Sequence, residues 1–310
     1  MIEIIFLGTS ASAPSIHRGL AAQVVMYKDY RFLVDCGEGT QRQILRSGLG
    51  FKRMNRILLT HGHLDHILGL GGLISTFNRW ETVEHVEIYG GAWALERVHD
   101  LVYGVVLRGA GPQIQIDFIE VRPGVVLEDD TFEVVAFQVS HRGPCLGYLF
   151  REKSRRPFLD EQAEALGVPR GPERRQLVAG EAVTLPDGRV IRPDQVLGPP
   201  RQGACLAHVG DAGRTDNLVE AVRDADMLVI EATYLRPETD MAHRFGHLTA
   251  AQAARLARDA GVHRLALTHV SRRYREAQII DEARSVFPGA IVARDFDHFR
   301  VLRRDVERET

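Results

Sequence analysis

The segment Thr60-His61-Gly62-His63-Leu64-Asp65-His66 constrains this chain more than any other. It follows the apolar run Ile57-Leu58-Leu59, which reads as the end of a buried strand. Three imidazoles and a carboxylate this close together point to a metal site, because imidazole suits zinc and a carboxylate can ligate or orient beside it. On an extended segment His61 and His63 can reach one ion, while Asp65 and His66 turn toward a second. A polar turn between strand and helix has no reason to collect three histidines.

The rest of the chain supplies what such a site still needs. His141 follows the strand-like run from Phe132 to Val139, Asp211 follows Cys205-Leu206-Ala207-His208-Val209-Gly210, and His269 follows Arg264-Leu265-Ala266-Leu267-Thr268. Each candidate sits just past an apolar strand, where loops gather a site from distant parts of a chain. His208 lies inside its strand and reads as a core histidine. Asp35 is a candidate partner for orienting a ligand histidine.

The order His-x-His-x-Asp-His, then a distant His, Asp and His, resembles the metallo-β-lactamase superfamily. The resemblance implies one zinc held by His61, His63, His141 and Asp211. It implies a second held by Asp65, His66, Asp211 and His269, with Asp211 bridging. No cysteine occupies a ligand position, which argues against a β-lactamase with a Cys-containing second site. Within the superfamily, Glu231-Ala232-Thr233-Tyr234, His247-Leu248-Thr249 and Thr268-His269-Val270-Ser271-Arg272-Arg273-Tyr274 resemble the ribonuclease Z family of tRNA 3′-processing endonucleases. Phe6-Leu7-Gly8-Thr9-Ser10 and Val34-Asp35-Cys36-Gly37-Glu38-Gly39 fit the same family, as does Leu166-Gly167-Val168-Pro169-Arg170-Gly171-Pro172. The likeness runs from about residue 3 to about residue 302 and is to the short form of the enzyme.

That family implies an α/β chain folded as an αββα four-layer sandwich, one catalytic domain over 1–310. It implies an inserted arm over 152–200, carrying Gly171 and Pro172, that binds the tRNA body. It also implies a homodimer acting on precursor tRNA in the cytoplasm. The expected reaction is hydrolysis by a metal-activated water that removes the 3′ trailer and leaves a 3′-hydroxyl on the tRNA. Asp65 is expected to ligate and to orient the nucleophile. His247, held by Glu231, is expected to donate a proton to the leaving oxygen. Arg18, Ser271 and Arg273 are candidate phosphate contacts. The family's Pro-x-Lys-x-Arg-Asn loop is matched here at Pro14 and Arg18 only, so the cut's position relative to CCA stays open. A small-molecule hydrolase, either a phosphodiesterase or a glyoxalase-II-like thioesterase, is the alternative. The arm and the Glu231/His247 pair argue against it.

Composition constrains less. The net charge of −2 means that any surface for RNA must be local, since phosphate contacts carry much of such affinity. Residues 151–201 hold ten Lys/Arg against eight Asp/Glu, a weak excess. No apolar run is long enough to span a membrane, and the opening Met1-Ile2-Glu3-Ile4-Ile5-Phe6 reads as a strand rather than a leader. Cys36, Cys145 and Cys205 lack Cys-x-x-Cys spacing and read as reduced core thiols.

The spacing predicts strands at 3–7, 21–27, 30–35, 55–60, 85–90, 115–119, 132–139, 145–151, 203–209, 226–231, 263–268, 290–293 and 297–302. Helices are predicted at 39–48, 69–77, 92–103, 215–223, 249–259 and 276–286. The stretch 152–200, punctuated by seven prolines, reads as turns with a short helix at 160–166 and a small hairpin over 185–191, without regular core.

Overall fold

The computed structural model describes residues 1–80, 83–109 and 111–309. In chain order, β1 (Ile2–Gly8), β2 (Ala22–Tyr27) and β3 (Tyr30–Val34) lead into α1 (Thr40–Arg46) and β4 (Arg56–Leu58). Then come α2 (Leu64–Ile67), α3 (Gly69–Trp80), β5 (His85–Gly90), α4 (Ala92–His99) and β6 (Gln115–Glu120). β7 (Gly124–Glu128), β8 (Phe132–His141) and β9 (Gly143–Glu152) follow. Residues 152–203 form a separate compact unit. They contain α5 (Asp160–Ala165), α6 (Pro172–Val178), β10 (Val183–Thr184) and β11 (Val190–Ile191). The chain resumes with β12 (Cys205–His208), β13 (Met227–Glu231), α7 (Thr239–Phe245), α8 (Ala250–Asp259), β14 (Arg264–Thr268) and α9 (Glu276–Arg284). It closes with β15 (Ala290–Val292), β16 (His298–Leu302) and β17 (Asp305–Arg308).

The strands of the larger unit form two sheets, ordered β17-β16-β1-β2-β3-β4-β5-β6 and β15-β14-β13-β12-β9-β8-β7. Strand periodicity explains the layers, because successive side chains point to opposite faces. On β1, Ile4 and Phe6 enter the core between the sheets, while Ile5 and Leu7 face the outer layer with α1, α3 and α4. On β13, Met227 and Val229 face the other sheet, while Leu228 and Ile230 pack against α8 and α9. Strands buried on both faces read as continuous apolar runs, as β13 does. The result is an αββα four-layer sandwich. Phe132 stacks on Tyr27 at 4.4 Å in its middle.

Several elements differ from the sequence expectation. Residues 215–223 form successive tight turns instead of a helix, with Leu218 N–H bonded to Thr215 O and Ala225 N–H to Val222 O. Asp216 and Asn217 favour such turns, and the fully buried Leu218 and Val222 pin them. The expected helix over 92–103 is regular only to His99 and continues with wider, π-type turns to Val106. β7, β17, α6 and α7 have no counterpart in the expectation.

The unit 152–203 is not core-less. Ala163, Val168, Leu177, Val183, Leu185, Ile191, Val196 and Leu197 are buried together in a small cluster of their own. Isolated aliphatics between prolines gave no period to read, yet α6 starts with Pro172 at its first position and brings Leu177 inward.

Candidate metal centre and acid pair

Except for His141, which ends β8 beside its antiparallel neighbour β7, the candidate ligands follow the C-terminal ends of parallel strands. β12, β13 and β14 run parallel, so residues 209–211, Glu231 and His269 emerge along one edge. β4, in the other sheet, delivers Thr60 to His66. α2 is only one turn long, and it carries Asp65 and His66 into the group with His269 while the His66 ring stays 4.2 Å from that of His61.

Glycines permit the close approach. A Cβ on Gly37 would lie 2.4 Å from the Asp65 carbonyl O and 2.5 Å from Leu20 Cβ. Three non-glycine residues around the site adopt positive φ: Ser12 (57°), Asp35 (57°) and His269 (50°). Such backbone is uncommon among non-glycine residues, Asp and His tolerating it better than most, and it concentrates at functional sites.

Seven expected ligands converge. The ligand atoms of His61, His63, His141 and Asp211 all lie within 4.8 Å of one another, and so do those of Asp65, His66 and His269. His61 Nε2 is 2.9 Å from His63 Nδ1, and His141 Nε2 is 3.3 Å from that same nitrogen. Nitrogens bound to one zinc stand about 3.3 Å apart across a tetrahedral edge, given Zn–N of about 2.0–2.1 Å. Asp211 Oδ2 lies 3.8 Å from His61 Nε2, 3.9 Å from His141 Nε2 and 3.5 Å from His66 Nε2, so one oxygen faces both groups.

Two buried atoms here, His66 Nε2 and Asp211 Oδ1, have no hydrogen-bond partner. Such atoms are costly unless something else satisfies them, and a cation does so for both. Burial opposes ionisation of Asp211, yet His269 and His66 outweigh it and hold its carboxyl well below the usual range. Burial also lowers the basicity of His61, His63 and His141. An ionised Asp211 facing the neutral imidazoles of His61, His63 and His141 is a donor set that a divalent transition metal takes. Burial opposes charge on His66 too, but Asp211 and Asp35 outweigh it and hold His66 well above the ordinary histidine value, so an ion there would displace its proton. The residues fit a metal.

The back sides of the imidazoles are held as well. Asp35 accepts from His66 Nδ1 at 2.8 Å and from the Thr60 hydroxyl at 2.7 Å. That hydroxyl is 3.0 Å from His61 Nδ1. His141 Nδ1 donates to the Gly246 carbonyl at 2.5 Å. The Ser12 backbone N–H donates to Asp65 Oδ2 at 3.0 Å, and His269 Nε2 lies 3.3 Å from that oxygen.

Beside the clusters stands His247. α7 ends at Gly246 in the left-handed conformation (φ 71°), the common glycine stop, and the reversal delivers His247 to the site. Its Nδ1 donates to Glu231 Oε1 at 2.8 Å. Glu231 is fully buried and also accepts from Ala212 N–H (2.8 Å) and the Thr233 hydroxyl (2.5 Å). Burial lowers the basicity of His247, but the Glu231 charge and hydrogen bond dominate, and its pKa is pushed up to about 9. His247 lies near Asp211 and His269, close enough to be a third ligand group. Its Nδ1 stands 3.9 Å from Asp211 Oδ2 and is already committed to Glu231.

A cleft of ≈350 Å³ opens over this centre, lined by His63, Asp65, His141, Asp211, His247 and Arg273 among others. Arg273 reaches it while bonded to Glu238 at 3.0 Å. Arg18 does not reach it: its guanidinium bonds Thr9 Oγ1 (2.7 Å), the Ala293 carbonyl (2.6 Å) and Glu276 (2.9 Å), and works as a strut. Arg18 and Ser271 line a neighbouring cavity of ≈580 Å³ that gathers none of the candidate ligands. Gly171 and Pro172 form the start of α6 in the other unit. His208 is a core histidine, bonded through Nε2 to Gln23 at 2.8 Å. Sequence reasoning missed Thr233 and Ser12. Thr233 lies inside a quoted motif, but nothing in a sequence shows where a hydroxyl or a loop N–H points.

Comparison with known proteins bears on the family and the fold. Residues 20–155 match a family model described as metallo-beta-lactamase superfamily, and residues 179–270 match one described as beta-lactamase superfamily domain. Ribonuclease Z of a Bradyrhizobium species is 46% identical over 302 residues, covering 97% of this chain and 100% of the relative. That of Haloferax volcanii is 42% identical, covering 97% and 95% respectively. Human tRNase Z, short form, superposes with a TM-score of 0.67 at 25% identity, over 96% of this chain and 99% of that one.

Proposed function

The chain belongs to the ribonuclease Z family of the metallo-β-lactamase superfamily, and on that premise we propose how it works as a metal-dependent endoribonuclease of tRNA 3′ processing. The observation that carries the reading is the Glu231–His247 pair set beside two groups of ligands. We assign His61, His63, His141 and Asp211 to one zinc ion, and Asp65, His66, Asp211 and His269 to a second. Bound there, such cations neutralise phosphate charge and lower the pKa of the attacking water.

The chain's own residues do the rest. Asp65 orients the nucleophile. Burial raises its carboxyl, but the His269 hydrogen bond and the neighbouring imidazoles outweigh that and hold it well below the usual range. It therefore accepts hydrogen bonds better than it carries protons. His247, kept protonated by Glu231, gives its proton to the departing 3′ oxygen of the tRNA, which leaves as a hydroxyl. Arg273 steadies phosphate at the cleft mouth. The unit 152–203 grips the body of the tRNA through shape and backbone, with Gly171 and Pro172 at its contact loop. The working form is a cytoplasmic homodimer. Among the described residues no helix is long and apolar enough to cross a membrane.

The test is cleavage of two structured tRNA precursors, one with and one without encoded CCA, mapping the new 3′ ends. A single cut, abolished by chelator and crippled in His247→Ala, is expected. Intact precursor in the presence of zinc, with small phosphodiesters or thioesters hydrolysed instead, would overturn the reading. Light scattering on the same preparation checks the dimer.

A further inference from the structure

We infer that Thr233 is a positioning residue that fixes the tautomer of His269, so that Glu231 serves both the acid His247 and a metal-facing imidazole. The inference deepens the proposed function and rests on His269 being a ligand.

Thr233 is buried two residues beyond Glu231. Its Oγ1 lies 2.5 Å from Glu231 Oε2, 3.0 Å from His269 Nδ1 and 3.1 Å from the His269 carbonyl O. A hydroxyl has one proton to give and two lone pairs to offer. The short contact to the carboxylate takes the proton, because bonds to an ionised acceptor are the strong ones. Toward His269 Nδ1 the hydroxyl can then only accept, so Nδ1 carries the N–H. A neutral imidazole protonated at Nδ1 has a bare Nε2, and Nε2 is the nitrogen facing Asp65 Oδ2. A bare nitrogen is what a metal requires.

The other sheet shows the same device. Asp35, at the end of β3, takes the Thr60 hydroxyl at 2.7 Å, and Thr60 Oγ1 stands 3.0 Å from His61 Nδ1. His61 Nε2 again points inward, 2.9 Å from His63 Nδ1. Each buried carboxylate thus holds one histidine directly (His66 or His247) and a second through a threonine (His61 or His269). At Glu231 the intermediary has a steric reason. Oε1 is already filled by Ala212 N–H and His247, and only Oε2 faces toward Thr233. One competing arrangement exists: His269 Nδ1 is also 3.4 Å from Asp211 Oδ1, and a proton-free Nδ1 would turn that nitrogen to the ion.

Zinc competition against a chromophoric chelator separates the two. The metal-free native chain is compared with Thr233→Val, which keeps the shape and removes the hydroxyl, with Thr233→Ser, which keeps the hydroxyl, and with His269→Ala. The expected result is a loss of about 10–100-fold in affinity at one site for Val, the usual size for such partners. Ser stays near native, and His269→Ala loses at least as much as Val. Native affinity in the Val variant, or a Ser variant as weak as Val, overturns the relay while the ligand assignment stands. Native affinity in His269→Ala overturns both. Should the Val variant not fold, long-range proton–nitrogen spectra of the native zinc-loaded protein decide. A proton on His269 Nδ1 supports the relay, and a zinc-bound Nδ1 overturns it.

Discussion

Glu231→Gln isolates charge from shape at the acid pair. Oε1 accepts from Ala212 N–H and His247 Nδ1–H, each at 2.8 Å, and Oε2 accepts from the Thr233 hydroxyl. A glutamine with its carbonyl oxygen at the Oε1 position keeps both nitrogen donors. Its NH₂ group then meets Thr233 Oγ1, whose proton turns to the His269 carbonyl at 3.1 Å. Thr233 still accepts from His269 Nδ1, while the Thr233 backbone N–H loses its long 3.4 Å contact to Oε2. The main change is the loss of charge.

Hydrogen bonds to charged groups contribute about 1.5–3 kcal/mol and neutral ones about 0.5–1.5 kcal/mol. The imidazolium of His247 therefore loses about 1–1.5 kcal/mol, which is about one pKa unit, so its pKa falls from about 9 toward neutrality. The basic limb of the pH profile for single-turnover cleavage of a labelled tRNA precursor should move down by about one unit, with the rate at neutral pH near native and zinc content retained. His247→Ala removes the acid itself and should cost about 10²–10⁴-fold. A basic limb left in its native place in Glu231→Gln, beside a crippled His247→Ala, would show that the charge does not matter. Equal losses in the two would show that Glu231 does more than tune the imidazole. Either result refutes the reasoning.

Three further outcomes are expected. Phe132→Ala empties the stacked centre between the sheets and should cost about 3–5 kcal/mol in denaturant unfolding, since Phe132 is fully buried against Tyr27 and near Phe32. Leu177→Ala strikes the small core of the 152–203 unit; precursor tRNA cleavage should weaken through KM, while hydrolysis of a small phosphodiester such as bis(p-nitrophenyl) phosphate stays near native. The thiols should resist iodoacetamide at pH 8 until the chain unfolds. Burial pushes Cys36 up to about 12 and Cys205 up to about 11, and raises Cys145 as well. The thiolate is the reactive form, so these groups gain reactivity only as pH rises toward those values. Rapid labelling of native protein would contradict this.

How much was legible in the sequence depended on how local the signal was. The histidine motif, the strands that precede each ligand and the helix capped by Thr249 all carry their evidence within a few residues, and the structure has them in place. The expected helix over 215–223 failed because the local turn preference of Asp216 and Asn217 won over a weak apolar period. α7 was missed although Gly246 marks its end. The small core of 152–203 was missed because its aliphatics are spaced by the fold of that unit and follow no single period.

The sequence by itself determined the chemistry on offer: which imidazoles and carboxylates the chain can bring, and that they follow buried strands. That information is covalent and travels with the motif. Tertiary structure alone decided how the groups divide labour. His247 differs from His141 only because Glu231 holds its Nδ1 where His141 meets a carbonyl. Arg18 is a strut only because Thr9, Ala293 and Glu276 close around it. Thr233 matters only because a hydroxyl with one proton stands between a buried carboxylate and an imidazole. These roles depend on distances of about 3 Å between residues far apart in the chain, and hydrogen bonds weaken steeply beyond such range. Only the packing of two sheets sets those distances.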